Sequence, residues 1–354
     1  MDPDSIPGES RVPHGGEPDR NLLDFSANTN PRTPDGVDDV FAAALEDSRR
    51  YPDDEYPDFR SGAAEYVGCD STRIVPTPGG LAAIRLAMEI ALEPGDEALV
   101  PYPSFGEYAR EVRLQGSKPR FVHYDEISEV GPAVLEPCSL VVCCTPNNPT
   151  GDAIDLDALE ALAARCARAG TTLLVDEAFL GFTDLPSAVE LDHEHVVVAR
   201  SLTKLFGLPG LRAGFAVATG DRLDALETAR RTWSLGIPAA RVGAHCLRQG
   251  EFVRDTRERV ARERKRMHAA LAERFDVQPS DAPYLLCDVG DRTVSTVIAD
   301  ARADGVAIRD ATTFRGLDSH VRVAVKDRAS NDRLLAALGA DDSRTESDHG
   351  ATDD

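Results

Sequence analysis

Six short apolar runs, separated by segments with helical periodicity, constrain the fold of this chain more than any other feature. They lie between residues 73 and 219, and read RIVPTP, EALVPYP, SLVVCCTP, TLLVDEA, VVVARSL and RAGFAVAT. Continuous apolar runs are typical of strands covered on both faces, and their alternation with helices predicts a mainly parallel sheet. We therefore expect an α/β domain whose ligand lies beyond the carboxyl ends of the strands.

The sequence changes character after Pro238. A charged segment with helical periodicity (251–275) precedes three strand-like pieces, APYLLCDV, GVAIRD and HVRVAVK. These features predict a second, smaller α+β domain. We divide the chain into an N-terminal arm that joins the small domain (1–35), a large ligand-binding α/β domain (36–238), the small domain (239–340) and a disordered acidic tail (341–354).

The net charge of the chain is −22. Such a field repels nucleic acid and anionic membranes, so we expect neither as a partner. The acidic residues are spread along the chain, which favours a salt-adapted, halophilic protein over an ordinary acidic one. The first residues lack the pattern of a signal peptide and no run is long enough to span a membrane, so we expect a cytoplasmic protein.

The seven cysteines include no CxxC pair. This odd number without metal-ligand spacing predicts buried free thiols, with neither a disulfide framework nor a metal site.

Small or polar residues follow several of the apolar runs. They are Gly79 and Gly80, Asn147 and Asn148, Asp176 and Glu177, and then Lys204 and Arg212. Each has a plain structural explanation: a tight turn, a proline-flanked turn, a helix cap or a solvated basic side chain. Together they supply an anion cradle, an amide, a carboxylate, a lysine and an arginine. Pyridoxal phosphate needs such a set, because its aldehyde binds a lysine, its ring nitrogen a carboxylate and its phosphate a cationic cradle.

The order of PGG, PNNPTG, VDEAF and SLTKLFGLPGLRAG resembles the fold-type I, class I/II aminotransferase family over nearly the whole chain. The resemblance implies a large domain with a mainly parallel seven-stranded sheet between helices, plus a smaller α+β domain. It implies that the catalytic pair is Lys204, which binds the cofactor aldehyde, and Asp176, which pairs with the ring nitrogen. The other residues that it assigns to the cofactor are Gly79, Gly80, Leu81, Phe105 (stacked on the ring), Asn148, Phe179, Ser201, Thr203 and Arg212.

Three further residues receive roles from the same resemblance. Tyr51 resembles the tyrosine that reaches the cofactor phosphate of the neighbouring subunit, which implies a homodimer. Arg322 resembles the arginine that binds the substrate α-carboxylate. Phe179 stands where many members have a tyrosine, which leaves Asn148 as the side-chain donor to the phenolic oxygen.

Within the family, PHGG, LLDFSANTNP and VAIRDATTFRGLDSHVRVAVKD resemble the L-threonine-O-3-phosphate decarboxylases of cobalamin synthesis. This implies a phosphorylated small amino acid as substrate. The implied substrate residues are His14, Gly15, Gly16, Asn28, Asn148 and Arg322, with Asn30 as a further amide donor. A flexible turn is the plain alternative for HGG.

The histidinol-phosphate aminotransferases are related, and transamination is the alternative function. A non-catalytic regulatory protein that binds the cofactor is a third, disfavoured possibility, since Lys204, Asp176 and Arg322 are all present. The sequence does not assign Arg309, Arg315 or Lys326.

Overall fold

All six apolar runs form strands of one seven-stranded sheet in the computed structural model, which describes residues 1–340. Across the sheet the strands, numbered along the chain, are β2 (Ile74–Thr77), β8 (Gly214–Val217), β7 (Val196–Ser201), β6 (Thr172–Asp176), β5 (Cys138–Cys144), β3 (Glu97–Tyr102) and β4 (Lys118–His123). Strand β8 alone runs in the direction opposite to the other six strands of this sheet. The predicted α/β fold is confirmed. The sequence did not indicate β4, an edge strand that is only half-buried and therefore lacks a continuous apolar run.

Helices cover both faces of this sheet. They are α1 (Val37–Asp47), α2 (Pro57–Val67), α3 (Gly80–Ala91), α4 (Glu107–Leu114), α5 (Pro132–Leu135), α6 (Leu156–Ala169), α7 (Leu202–Leu205), α8 (Gly220–Ala229) and α9 (Ile237–Leu247). Successive side chains of a strand point to opposite faces. In β6, Leu173 and Val175 pack in one apolar cluster and Leu174 in the other. Two buried faces explain why the strands read as continuous apolar runs.

A four-stranded antiparallel sheet forms the second body. Its order is β12 (Arg309–Asp310), β13 (His320–Ala324), β10 (Tyr284–Asp288) and β9 (Asp276–Val277). The helices of this part are α10 (Gly250–Leu271), α11 (Val294–Ala303) and α12 (Arg328–Ala337). A separate parallel pair joins β1 (Leu23–Asp24) to β11 (Val306–Ala307). The N-terminal segment therefore reaches the C-terminal part of the chain.

Two observations bear on the predicted domain bounds, which stay predictions. Helix α9, which contains Pro238, packs against α1 and α2, so the second sheet and its helices begin one helix later. The first residues contact α4, where Asp2 N donates to Leu114 O at 2.8 Å. The predicted disordered tail (341–354) lies outside the described residues.

Within residues 1–340, no helix is both long and apolar enough to cross a bilayer. The same part of the chain contains no cluster of side chains suited to a metal ion. All seven cysteines are free thiols, and six of them are buried, as predicted.

Candidate active site

A cavity of 310 Å³ opens beyond the carboxyl ends of β5, β6 and β7, where the sequence predicts the ligand. Most of the predicted site residues line it, although they come from distant parts of the chain. They are His14, Gly15, Asn28, Gly80, Leu81, Phe105, Asn148, Asp176, Phe179, Ser201, Thr203, Lys204, Arg212 and Arg322.

Lys204 enters the cavity from α7, a single helical turn directly after β7. The pKa of its amine is lowered from 10.5 to about 8, mainly by burial and then by Arg322 and Arg212, whereas Asp176 opposes this shift. A larger fraction of neutral amine is therefore present near neutral pH than for a solvated lysine. A neutral amine is the nucleophile that a carbonyl compound requires.

Asp176 ends β6 and is a buried residue of the cavity lining. Its Oδ2 accepts a hydrogen bond of 2.5 Å from the Tyr108 hydroxyl, and its Oδ1 accepts one of 2.9 Å from Ala178 N. Burial raises the pKa of Asp176, and the hydrogen bonds from Tyr108 and Ala178 offset part of this effect. Asp176 is thus a carboxylate buried away from water, where a cationic partner would stabilise its ionised form.

Sequence reasoning missed Tyr108. This side chain is fully buried, lines the cavity and contacts Phe105 edge to face, with ring centroids 5.5 Å apart. One sequence signal could have identified it: Tyr108 follows Phe105 by three residues near the start of a helix, and side chains at this spacing lie on the same helix face.

The residues predicted for the cofactor phosphate converge at the N-terminus of α3. Gly79 has a φ of +96°, and a Cβ there would lie 2.6 Å from the Arg212 guanidinium. A Cβ on Gly80 would lie 2.9 Å from Ser201 Cβ, whose hydroxyl is 2.8 Å from Thr203 Oγ1. Only glycine permits this close approach. As a result, the N-terminus of α3, the hydroxyls of Ser201 and Thr203 and the guanidinium of Arg212 surround one point. Such an arrangement binds phosphate.

Arg322 extends from β13 into the cavity. One terminal nitrogen donates to Asn148 Oδ1 and the other to Ser26 O at 3.1 Å. Its Nε is buried without a partner, and burial lowers the pKa of the guanidinium to about 10. Since both terminal nitrogens bind neutral oxygens, the charge of Arg322 is available for an anionic ligand. Asn28 also lines the cavity, and its Oδ1 is likewise buried without a hydrogen-bond partner.

Another guanidinium group of the cavity lining lies on β12, where Arg309 is the cross-strand partner of Arg322. Arg309, which the sequence left unassigned, donates to Pro13 O at 2.9 Å and to Thr313 Oγ1 at 2.7 Å. His14 packs against Phe105, and its Nε2 lies 2.9 Å from Oε1 of the buried Glu107. The sequence also missed Glu107, because a glutamate on a helix is usually solvated.

Several of the predicted residues do not face the cavity. The N–H of Gly16 donates to Ser26 Oγ at 2.8 Å, so Gly16 shapes the turn. Tyr51 is 76% exposed and stacks on Trp233, with ring centroids 4.1 Å apart. The expectation that Asn30 is a substrate donor is wrong, because its amide is bound to Leu205 O at 2.7 Å.

Two of the unassigned basic residues also lie outside the cavity lining. Arg315 lies over the Phe121 ring at 3.9 Å, and the Lys326 amine is 5.6 Å from the Phe25 ring centroid.

The sequence and the fold of the chain are similar to those of known proteins of one family. The model of the family "Aminotransferase class I and II" matches residues 20–338. A histidinol-phosphate aminotransferase of Archaeoglobus fulgidus is 31% identical over 91% of this chain and 93% of its own length. The threonine-phosphate decarboxylase of Salmonella typhimurium is 33% identical over 92% of each chain. The fold matches that of a histidinol-phosphate aminotransferase from Sinorhizobium meliloti in complex with pyridoxal-5'-phosphate, with a TM-score of 0.78, 22% identity and coverage of 88% of each chain.

Proposed function

Since the chain belongs to the aminotransferase class I and II family and uses pyridoxal phosphate, we propose that it decarboxylates L-threonine-O-3-phosphate. The products would be (R)-1-aminopropan-2-ol O-phosphate and CO₂, and the amine would serve assembly of the cobalamin nucleotide loop. One observation carries this proposal: besides the phosphate cradle, the cavity lining holds two guanidinium groups on neighbouring strands, Arg322 and Arg309, together with the imidazole of His14. A substrate with both a carboxylate and a phosphate needs two such cationic groups.

The residues of the cavity fit the cofactor. Asp176 would hold the ring nitrogen, and Asn148 would hold the phenolic oxygen. Lys204 would bind the aldehyde, and the cradle at the start of α3 would bind the phosphate. When bound, pyridoxal phosphate supplies an electron sink that lowers the barrier to breaking a bond at the substrate α-carbon.

Arg322 and the His14 region would orient the substrate. A guanidinium binds a carboxylate through two parallel hydrogen bonds, and the unpartnered Nε of Arg322 is available for one of them. His14 and Arg309 would bind the phosphate ester. Fixing both ends of a small amino acid also fixes which bond of its α-carbon is broken.

Lys204 would complete the reaction by moving a proton. Loss of the carboxylate as CO₂ leaves an electron pair on the α-carbon, which must accept a proton to give the amine. The pKa of Lys204, about 8, allows its Nζ to donate that proton near neutral pH.

Transamination of histidinol phosphate or a similar amino acid is the second candidate function. The 31% identity to the Archaeoglobus fulgidus aminotransferase favours it. A paired assay separates the two candidates. Histidinol phosphate with 2-oxoglutarate should give no glutamate, whereas threonine phosphate alone should lose CO₂; glutamate formation without CO₂ release would select the aminotransferase.

We also propose that the enzyme is a homodimer in which Tyr51 serves the neighbouring cofactor. Tyr51 and Trp233 form an exposed aromatic pair, and Phe41 and Leu45 are exposed on α1. Exposed apolar groups of this size are typical of protein interfaces. Sedimentation should give twice the monomer mass. Tyr51→Phe should weaken cofactor binding while leaving the dimer intact; a monomeric active enzyme would refute the proposal.

A further inference from the structure

The helical turn that carries Lys204 is too short to be stable alone. Helix α7 has four residues, Leu202–Leu205. Forming one turn fixes several backbone dihedral angles in return for few internal hydrogen bonds. The carbonyl groups at the end of the turn also lack partners inside the helix. The local donor that Lys204 O does have is Gly207 N, at a long distance of 3.4 Å, so the position of the Lys204 backbone depends largely on donors from other parts of the chain.

Asn30 supplies two of these donors. Its backbone N–H donates to Lys204 O at 3.0 Å, and its side-chain Nδ2 donates to Leu205 O at 2.7 Å. Nδ2 also donates to Thr256 Oγ1 at 3.3 Å. Asn30 and Thr256 are 5% and 2% exposed. Breaking a hydrogen bond between such buried groups costs free energy, because water does not replace the lost partner.

The Asn30 segment also packs directly on the end of the turn. Gly207 has a φ of +68°, and a Cβ at this position would lie 2.8 Å from Asn30 O and 2.4 Å from Arg32 O. Contact between the two backbones thus adds to the hydrogen bonds and fixes where the turn ends.

Arg259 of α10 holds Asn30 in place. It donates from one terminal nitrogen to Asn30 Oδ1 at 2.7 Å and from the other to Lys326 O at 2.9 Å. Lys326 lies just beyond β13, the strand that carries Arg322. One buried guanidinium therefore connects the support of Lys204 with the end of the strand that carries Arg322.

We propose that Asn30 is a positioning residue that caps the Lys204 turn, and that Arg259 acts through Asn30. The inference rests on the proposed function only in treating Lys204 as the cofactor lysine. It is independent of the substrate. The charged groups that face the Lys204 amine are Arg322, Arg212 and Asp176, and none of them is altered by the variants below.

The test compares full-length wild type with Asn30→Ala, both with cofactor and after its removal. In the cofactor-free protein, acetylation of Lys204 is followed by mass spectrometry as a function of pH, and the wild-type midpoint should be about 8. A looser turn admits water to the amine, so the midpoint in Asn30→Ala should rise by about one pH unit. Rebinding of pyridoxal phosphate should slow about tenfold, and kcat should fall while KM changes little.

Asn331→Ala is the matched control. Asn331 is also fully buried beside α10, and its amide donates to Glu263 and to Lys326 O, but it does not contact the Lys204 turn. This variant should lose stability without a change in the acetylation midpoint or in the rebinding rate. Equal shifts in both variants, or a wild-type midpoint and rebinding rate in Asn30→Ala, would overturn the proposal.

Arg259→Gln replaces Asn30→Ala if the latter does not fold, and should move the midpoint in the same direction. An unchanged midpoint in Arg259→Gln would refute the proposed action of Arg259.

Borohydride reduction of the holoenzyme distinguishes failure of the proposed function from failure of the inference about Asn30. If the reduced cofactor is found on a lysine other than Lys204, the cofactor assignment fails, while the effect of Asn30 on Lys204 is still measured.

Discussion

The Tyr108 hydroxyl donates a hydrogen bond of 2.5 Å to Oδ2 of Asp176, and both side chains are buried. The bond joins the start of α4 to the end of β6 and stabilises the ionised form of a carboxyl group whose pKa burial raises. Because an ionised Asp176 is what a protonated cofactor ring nitrogen requires, Tyr108 supports the cofactor site through this carboxylate.

Tyr108→Phe should weaken binding of pyridoxal phosphate about tenfold, because a hydrogen bond to a charged group contributes about 1.5–3 kcal/mol. The substitution keeps the ring, so packing beside Phe105 is retained. Absorbance titration of the cofactor-free protein gives the dissociation constant. Tyr124→Phe is the control, since Tyr124 is not part of the cavity lining; an unchanged affinity in Tyr108→Phe would show that the hydroxyl does not support Asp176.

Lys204→Met should stabilise the cofactor-free protein by about 3 kcal/mol near neutral pH, because the native fold holds an amine whose pKa is lowered to about 8. The sign follows from proton uptake. Between the native pKa and the unfolded value of 10.5, unfolding takes up a proton, so wild-type stability rises with pH over this range and the advantage of the variant disappears. Urea unfolding at several pH values measures the difference. Equal stability of the two proteins near neutral pH would contradict the lowered pKa.

Glu107→Gln should raise KM for threonine phosphate about tenfold with little change in kcat, because the carboxylate pairs with His14 of the cavity lining and not with the reacting carbon. Glu97→Gln is the control, since it removes a carboxylate from a half-exposed pair with Arg120 away from the cavity. A fall in kcat at constant KM would place Glu107 in the chemical step instead.

Salt should stabilise the protein. At a net charge of −22, the folded chain repels itself, and salt screens this repulsion. Raising KCl from about 0.1 M to about 2 M should increase the unfolding midpoint in thermal denaturation by several degrees. A midpoint that falls or stays constant would argue against the halophilic interpretation of the acidic surface.

The sequence predicted the large sheet and most of the cavity because both have local signals. Continuous apolar runs locate the buried strands, and Asp176 and Lys204 lie at or just beyond the ends of two of them. Tyr108 and Glu107 gave no such signal, since their roles arise from contacts between distant elements. Asn30 was assigned to the wrong partner for the same reason: its amide donates to a carbonyl group 175 residues away.

The most direct test of the proposed function follows the carboxyl carbon of the substrate. The holoenzyme is incubated with L-threonine-O-3-phosphate labelled in the carboxyl group, without any keto acid. We predict release of labelled CO₂ with recovery of 1-aminopropan-2-ol O-phosphate, and no release by Lys204→Ala. Retention of the label in the amino acid, together with amino transfer once 2-oxoglutarate is added, would contradict the assignment as a decarboxylase.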